Sequence, residues 1–324
     1  MITRLLGTRN LDRKGNTLFD IVPLVFGGNV FGWTADEATS FRLLDAFVDR
    51  GFDAIDTANV YSAWVPGHKG GESEEIIGKW FAQSGKRDKV KIFTKLGMQM
   101  PDGGKGLSKD YILRSVEDSL RRLQTGTIDL YQSHIDDRET PLDETLSAYA
   151  ELLTSGKVRA IGASNYSAGR LREAMDLARR EGLPSYVSLQ PEYNLYDREK
   201  YETELAPVVE ELGLGCIPYF SLAAGFLTGK YNSAEETKGK SRGSKVEKYF
   251  DERGQRILAA LNKVSEETGA KQATVALAWL LAQPTITAPI ASATNIEQLN
   301  DLLAAVELAL SEDQVQTLNE ASAY

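Results

Sequence analysis

Cysteine and histidine are nearly absent from this chain of 324 residues, and neither kind of long run, apolar or single-signed, interrupts it. The lone Cys216 excludes an intrachain disulfide, and with only two histidines little remains for a structural zinc site. A reducing compartment is the corresponding expectation. The N-terminal stretch MITRLLGTRNLDRKGN has no long apolar run behind its basic residues, so it reads neither as a secretory signal nor as an anchor, and a cytoplasmic location is expected. Positive charge is also in deficit. A formal net charge of −9 argues against nucleic acid or a membrane surface as partner and leaves small molecules as the better expectation. Hydrophobic content of 42% and charged content of 26% are those of an ordinary globular chain.

What is present is alternation. After a hairpin pattern (Thr3 to Leu6, then Leu18 to Val22, with turn residues Asp12 to Asn16), eight short apolar runs occupy 23–26, 52–56, 90–94, 128–132, 158–164, 186–190, 215–219 and 286–290. Longer amphipathic runs separate them: Asp36 to Arg50, Glu72 to Gln83, Ser108 to Leu123, Pro141 to Ser155, Ala168 to Glu181, Glu202 to Leu212 and Asp251 to Thr268, with Asn295 to Leu308 at the end. A strand and helix repeated in this way predicts an α/β fold of the (β/α)8 barrel class with an N-terminal β-hairpin. A doubly wound open sheet is the competitor. An open sheet built for dinucleotides would carry G-x-G-x-x-G after its first strand, and GGNVFG lacks that spacing. One domain over residues 1–324 is expected, with loops 62–71 and 231–250 at the rim where such barrels build sites and lids.

Four residues end successive strands: Asp56 and Tyr61 in FDAIDTANVY, Lys95 in KIFTK and His134 in DLYQSH. Singly, each has an ordinary role: a helix cap for Asp56, rim packing for Tyr61, a solvent-seeking head for Lys95, a core position for His134. Together, on adjacent barrel strands, they form an acid–base set. A phenol with a reference pKa near ~10 needs a neighbouring cation to work at neutral pH. Lys95 supplies that charge, Asp56 holds Lys95, and His134 orients an oxygen.

With these motifs in place, the chain resembles the aldo-keto reductase family over almost its whole length. That resemblance implies carbonyl reduction or alcohol oxidation with a nicotinamide cofactor, with Asp56, Tyr61, Lys95 and His134 as the catalytic set. It also implies cofactor contacts. Gly27, Gly28 and Asn29 follow the first strand, and Asp56 contributes again. Ser164 and Asn165 in GASN and Gln190 in SLQPEYN would bind the nicotinamide carboxamide. In PYFSLAAGFLTGKY, Tyr219 would stack on the ring, with Phe220, Ser221, Leu222, Gly225, Leu227 and Lys230 along the pyrophosphate.

After the last strand, the resemblance places Ala291, Ser292, Thr294 and Gln298 near the adenosine ribose. This stretch, IASATNIEQLNDLL, has no Lys or Arg where many relatives hold a 2′-phosphate. NADP(H) is the expected cofactor, with NAD(H) or dual use the alternative. Lys238, Lys240, Arg242, Lys245 and Lys248 in the second loop either fold over the cofactor or balance Glu235, Glu236 and Glu247 in solvent. Trp33 and Trp64 make either an apolar pocket wall or loop packing, and His68 is expected in solvent. The substrate partner is a small carbonyl compound or alcohol, with the chain a monomer or weak homo-oligomer. Two other functions remain open: a cofactor-sensing regulatory subunit, and a metal-dependent barrel hydrolase, disfavoured because His68 and His134 are the only histidines.

Overall fold

In a computed structural model, described for residues 2–7, 15–231, 233–240 and 243–324, eight parallel strands curl around a common interior. A two-stranded antiparallel hairpin comes first, β1 (Arg4–Leu5) and β2 (Asp20–Ile21). Asp12 to Lys14 of its expected turn lie outside the described residues. The barrel strands are β3 (Val25–Gly27), β4 (Ala54–Asp56), β5 (Lys91–Leu96), β6 (Ile128–Ser133), β7 (Val158–Ser164), β8 (Ser188–Gln190), β9 (Gly215–Cys216) and β10 (Ile290–Ala291). They pair in the order β10-β3-β4-β5-β6-β7-β8-β9. The ring closes between β9 and β10 through Thr287 N donating to Cys216 O at 2.8 Å and Ile290 N donating to Pro218 O at 2.9 Å. This is the (β/α)8 barrel.

The helices are α1 (Glu37–Asp49), α2 (Glu72–Ser84), α3 (Lys109–Leu123), α4 (Leu142–Thr154), α5 (Ala168–Glu181), α6 (Ala206–Leu212), α7 (Gly243–Val246), α8 (Glu252–Thr268), α9 (Gln272–Ala282), α10 (Ile296–Ala304) and α11 (Glu312–Ala321). Polar residues set several starts: Asp36, Ser167, Asp251 and Asn295 each accept a backbone N–H from three residues ahead, worth about 1 kcal/mol apiece. Among the described residues no helix is long and apolar enough to cross a membrane.

Several expectations shift in detail. The run Glu202 to Leu212 divides into a π-helical turn, Tyr201–Leu205, and α6. The last strand falls at Ile290–Ala291, beyond most of the apolar run 286–290, because Pro289, without an N–H to donate, interrupts the ladder ahead of it. α9 has no amphipathic period to betray it: Ala273 to Leu280 are all buried, and Trp279 in its last turn donates to Asn319 Oδ1 at 2.9 Å. Loop 231–250 is not wholly irregular, since it carries α7 and flanking 3-10 turns at Glu235–Thr237 and Glu247–Tyr249.

Strand alternation decides what faces the barrel axis. Ala54, Phe93, Leu130 and Ala160 join Val25, Val187, Ile217, Ala288 and Ile290 in an interior cluster, which Leu6 and Ile21 of the hairpin complete from below. The intervening Ile55, Ile92, Tyr131 and Ile161 pack outward against the helices. Two residues beyond Ala54, Phe93 and Leu130, on the same inward side, stand Asp56, Lys95 and Gln132.

Candidate functional site

Asp56, Lys95 and His134 come together at the C-terminal ends of β4, β5 and β6, all buried. Lys95 Nζ donates to Asp56 Oδ2 at 2.5 Å and to the carbonyl of Thr57 at 2.7 Å. It also lies 5.0 Å from the centroid of the Tyr61 ring. Burial opposes the lysine's charge, but the Asp56 carboxylate and the Tyr61 side chain, which hydrogen-bonds with Lys95, outweigh it. The ammonium pKa is raised from its ordinary value.

Tyr61 reaches this pair from a loop. Asn59 N donates to Lys95 O at 3.0 Å, and the Tyr61 carbonyl accepts Gly71 N at 2.8 Å, so the loop is fixed at both ends. The first residue of α2 braces it further: Glu72 accepts the backbone N–H groups of Ser62, Lys69 and Gly70 at 3.3, 2.6 and 3.0 Å. His68, expected in solvent, is half-buried in this loop, its Nδ1 3.0 Å from Ser62 Oγ. The compact brace around Glu72 draws it in.

His134 sits 6.0 Å from Tyr61 between ring centroids. Among the described residues, its buried Nδ1 has no hydrogen-bond partner. Desolvation, and secondarily the charge of Lys95, hold its pKa well below 6.5, so the imidazole is neutral at physiological pH.

The expected carboxamide residues adjoin this set. Ser164 Oγ donates to Gln190 O at 2.8 Å, Asn165 Nδ2 donates to His134 O at 2.9 Å, and Tyr219 OH donates to Asn165 Oδ1 at 2.8 Å. Gln190 Nε2 turns inward, to Asp56 Oδ1 at 3.0 Å and Gln132 Oε1 at 3.2 Å. Gln132, which the sequence reading passed over, donates to Asp56 Oδ1 at 3.2 Å. Its signal was present in DLYQSH: an inward polar residue two positions after Leu130.

A groove for a long anionic cofactor is consistent with the backbone beyond β9. Phe220, Ala223, Ala224 and Gly225 all have positive φ, a concave arrangement of the kind that presents amides to phosphate. Lys230 Nζ lies 3.1 Å from where a Gly225 Cβ would stand. Within this stretch Ser221 Oγ donates inward to Pro218 O at 3.1 Å, Leu222 is half-buried, and the Leu227 side chain is fully in the core. Near the end of β3, a Cβ on Gly27 would meet Ser292 Oγ at 2.5 Å, and one on Gly28 would lie 3.0 Å from Asp56 O. Ser292 Oγ donates to Asn29 Oδ1 at 2.7 Å, joining the ends of β3 and β10 next to buried Ala291. Gln298 Oε1 accepts from Thr294 N and Oγ1 at 2.9 and 3.0 Å. These residues fit a nicotinamide dinucleotide: neutral donors at both ends, and amides with a lysine between.

Of the basic residues in the second loop, Lys248 pairs with Asp197 at 3.3 Å and Lys245 Nζ lies 5.2 Å over the Phe220 ring. Lys238 and Lys240 are exposed, and Arg242 lies outside the described residues. Tyr249 OH donates to Asp197 Oδ2 at 2.7 Å, which ties this segment down. On the other flank, Trp64 lies 5.6 Å from Tyr61 and 5.5 Å from Trp33 between centroids, edge to face in both cases, and keeps 46% of its surface exposed.

Residues 23–323 match the aldo/keto reductase family. Among similar proteins, the uncharacterized oxidoreductase YrpG of Bacillus subtilis (strain 168) is 39% identical over 94% of this chain and 94% of its own. An aryl-alcohol dehydrogenase [NADP(+)] of Phanerodontia chrysosporium is 33% identical over 89% of this chain and 77% of its own. An L-glyceraldehyde 3-phosphate reductase of Escherichia coli (strain K12) is 34% identical over 78% of this chain and 74% of its own.

Proposed function

The chain belongs to the aldo/keto reductase family and is an oxidoreductase, and from that premise we propose that it interconverts an aldehyde or ketone and its alcohol with Tyr61 as the general acid and base. The observation that carries this reading is the buried Lys95 ammonium, held between the Asp56 carboxylate and the Tyr61 phenol. A fully buried charge is costly unless paired, and this one is paired with Asp56 while its field also acts on the tyrosine.

When bound, a nicotinamide cofactor supplies hydride to the carbonyl carbon or accepts it from the alcohol. Tyr61 gives its hydroxyl proton to the carbonyl oxygen, and Lys95 stabilises the phenolate that remains. In the reverse direction the phenolate takes the alcohol proton. His134, neutral and without a partner at Nδ1, carries its proton best on Nε2 and donates from there to the same oxygen. Ser164, Asn165 and Gln190 would hold the carboxamide, and Tyr219 would meet the ring.

The cofactor is read as NADP(H), in line with the aryl-alcohol dehydrogenase [NADP(+)] among its relatives. Neutral donors at Ser292, Thr294 and Gln298 would meet its 2′-phosphate. The substrate is read as aryl or otherwise bulky and apolar, because exposed Trp64 beside Tyr61 offers a flat apolar face.

Tyr61→Phe tests the chemistry. It should fold and bind cofactor while kcat falls about a hundredfold to ten-thousandfold, the usual weight of a positioned acid; kcat within about tenfold of the parent would refute the role. Comparing kcat/KM for the two cofactors tests the other part, and about a tenfold preference for NADH, roughly 1.4 kcal/mol, overturns NADP(H).

A further inference from the structure

Gln132 has no step in the proton chemistry above, yet it is fully buried in the inward column of β6. Room for it is built into the neighbouring strand. Gly162 is its register partner on β7, and a Cβ there would lie 3.1 Å from Gln132 Cγ.

The orientations of two amides follow from one charge. An ionised carboxylate accepts hydrogen bonds and donates none. Asp56 Oδ1 is approached by the amide groups of Gln132 at 3.2 Å and Gln190 at 3.0 Å, so both must turn their NH2 ends toward it. Gln132 Oε1 then receives Gln190 Nε2 at 3.2 Å. Both N–H groups of Gln190 are thereby engaged, and an acceptor, Oε1, is what that side chain has left. Asp56 Oδ2 meanwhile holds Lys95. The strand ends β4, β5, β6 and β8 are thus joined in one polar network, with Gln132 linking the expected carboxamide partner to the ion pair under Tyr61.

We propose that Gln132 is a positioning residue that couples cofactor recognition to proton transfer: it fixes Gln190 as an acceptor for the carboxamide N–H, and it gives Asp56 a second neutral donor. The proposal rests on the reading of Tyr61 as the acid and Gln190 as the carboxamide partner. The second donor matters electrostatically. Each N–H on Oδ1 draws on the carboxylate's charge, so Asp56 cancels less of the Lys95 field at Tyr61. Without Gln132 the phenolate is less favoured, and the pH at which Tyr61 can accept a proton rises. The other ionisable groups around the network, His134 beyond β6 and Tyr219 beyond β9 with Glu192 behind it, stay in place.

The test is alcohol oxidation followed against pH, with cofactor Kd measured separately by calorimetry. Gln132→Met keeps the length and removes the amide. Its rate should rise with pH at a midpoint roughly half a unit above the parent, and Gln132→Glu should move it by more than roughly one unit. Gln132→Met should also weaken NADP(H) about threefold to tenfold, as expected for a lost orienting hydrogen bond, with the KM for alcohol unchanged. A folded Gln132→Met with the parent's midpoint and Kd overturns the proposal, and so does a uniform loss of kcat without a shift. Where Gln132→Met does not fold, Gln190→Met removes the other donor to Asp56, and an unshifted midpoint there overturns it equally. Failure of the underlying reading shows separately, as retained turnover in Tyr61→Phe.

Discussion

Replacing Asp56 with Asn keeps the shape of the network and removes its only anion. At the observed 2.5 Å separation, the attraction between Lys95 Nζ and Asp56 Oδ2 is about 7 kcal/mol at an effective dielectric of ~20. Desolvating each ion costs several kcal/mol, so the pair as a whole contributes little net stability. Removing one partner is different, because Lys95 then stays buried without a counter-charge, with the Thr57 carbonyl at 2.7 Å and the Tyr61 side chain as neutral partners. The expected loss at pH 7 is about 3–5 kcal/mol, and its pH dependence carries the sharper prediction. In the parent, the raised Lys95 pKa means that its contribution is fully present below the ordinary value of 10.5 and is lost only as pH climbs through the folded value. In Asp56→Asn, burial without a counter-charge puts the folded pKa below the unfolded one. Between the two, the unfolded chain binds more protons, so the variant gains stability with rising pH at about 1.4 kcal/mol per unit. Urea denaturation of both proteins at pH 7, 8, 9 and 10 measures the difference, in which other titrations cancel. A deficit below about 1 kcal/mol at pH 7, or one that stays constant to pH 10, would refute the account of a buried, charged Lys95.

His134 gives the opposite limb. Its folded pKa lies well below 6.5, so the unfolded chain takes up a proton first as pH falls, and stability declines below about pH 6.5 by about 1.4 kcal/mol per unit until the folded value is reached. His134→Gln should flatten that part of the stability curve between pH 7.5 and 4.5, and an unchanged slope counts against a buried neutral imidazole. Trp64→Ala should lower kcat/KM for an aryl aldehyde about tenfold while sparing a short aliphatic one, with Tm nearly unchanged because the side chain is half-exposed. Equal losses for both substrates would mean that Trp64 only packs its loop. Gln298→Arg should raise the preference for NADPH over NADH by about tenfold, since Gln298 now offers a neutral amide whose Oε1 is already occupied by Thr294. No change would remove Gln298 from the 2′-phosphate site.

The strands and most helices were legible because their signals are local. VRAIGAS is largely apolar, with Arg159 its one exposed position, and forms β7, and AGRLREAMDLARRE repeats its apolar positions at helical spacing and forms α5. α9 escaped for the complementary reason: a helix buried on all sides has no polar face, and ALAWLLA reads equally as strand or helix. The four strand-end residues could be collected because each ends a strand or follows one closely. Gln132 sits inside a run counted as apolar, and its meaning depends on facing Asp56 across two strands. The role of Glu72 was hidden in the same way, since three backbone N–H groups converge on it only once loop 62–71 has closed. Leu227 shows the limit of carrying positions over by motif. Its side chain belongs to the core, so any part it plays along a pyrophosphate is a backbone one.

The polar network depends on the apolar layer directly beneath it. Asp56, Lys95 and Gln132 follow Ala54, Phe93 and Leu130 at a spacing of two, so the same alternation that points the hydrophobic residues into the barrel points the polar ones into the site. A slip of β5 by one residue would turn Phe93 out of the interior cluster and send Lys95 toward the helices, stranding Asp56 without its counter-charge. Apolar packing therefore penalises the same error that would destroy the ion pair. The site tolerates an amide-rich, low-stability arrangement at the rim because its register is set below, by the interior strands and the hairpin residues Leu6 and Ile21 that close the barrel floor. Loop 62–71, braced on Glu72, and segment 243–250, held by Asp197, lie outside that constraint.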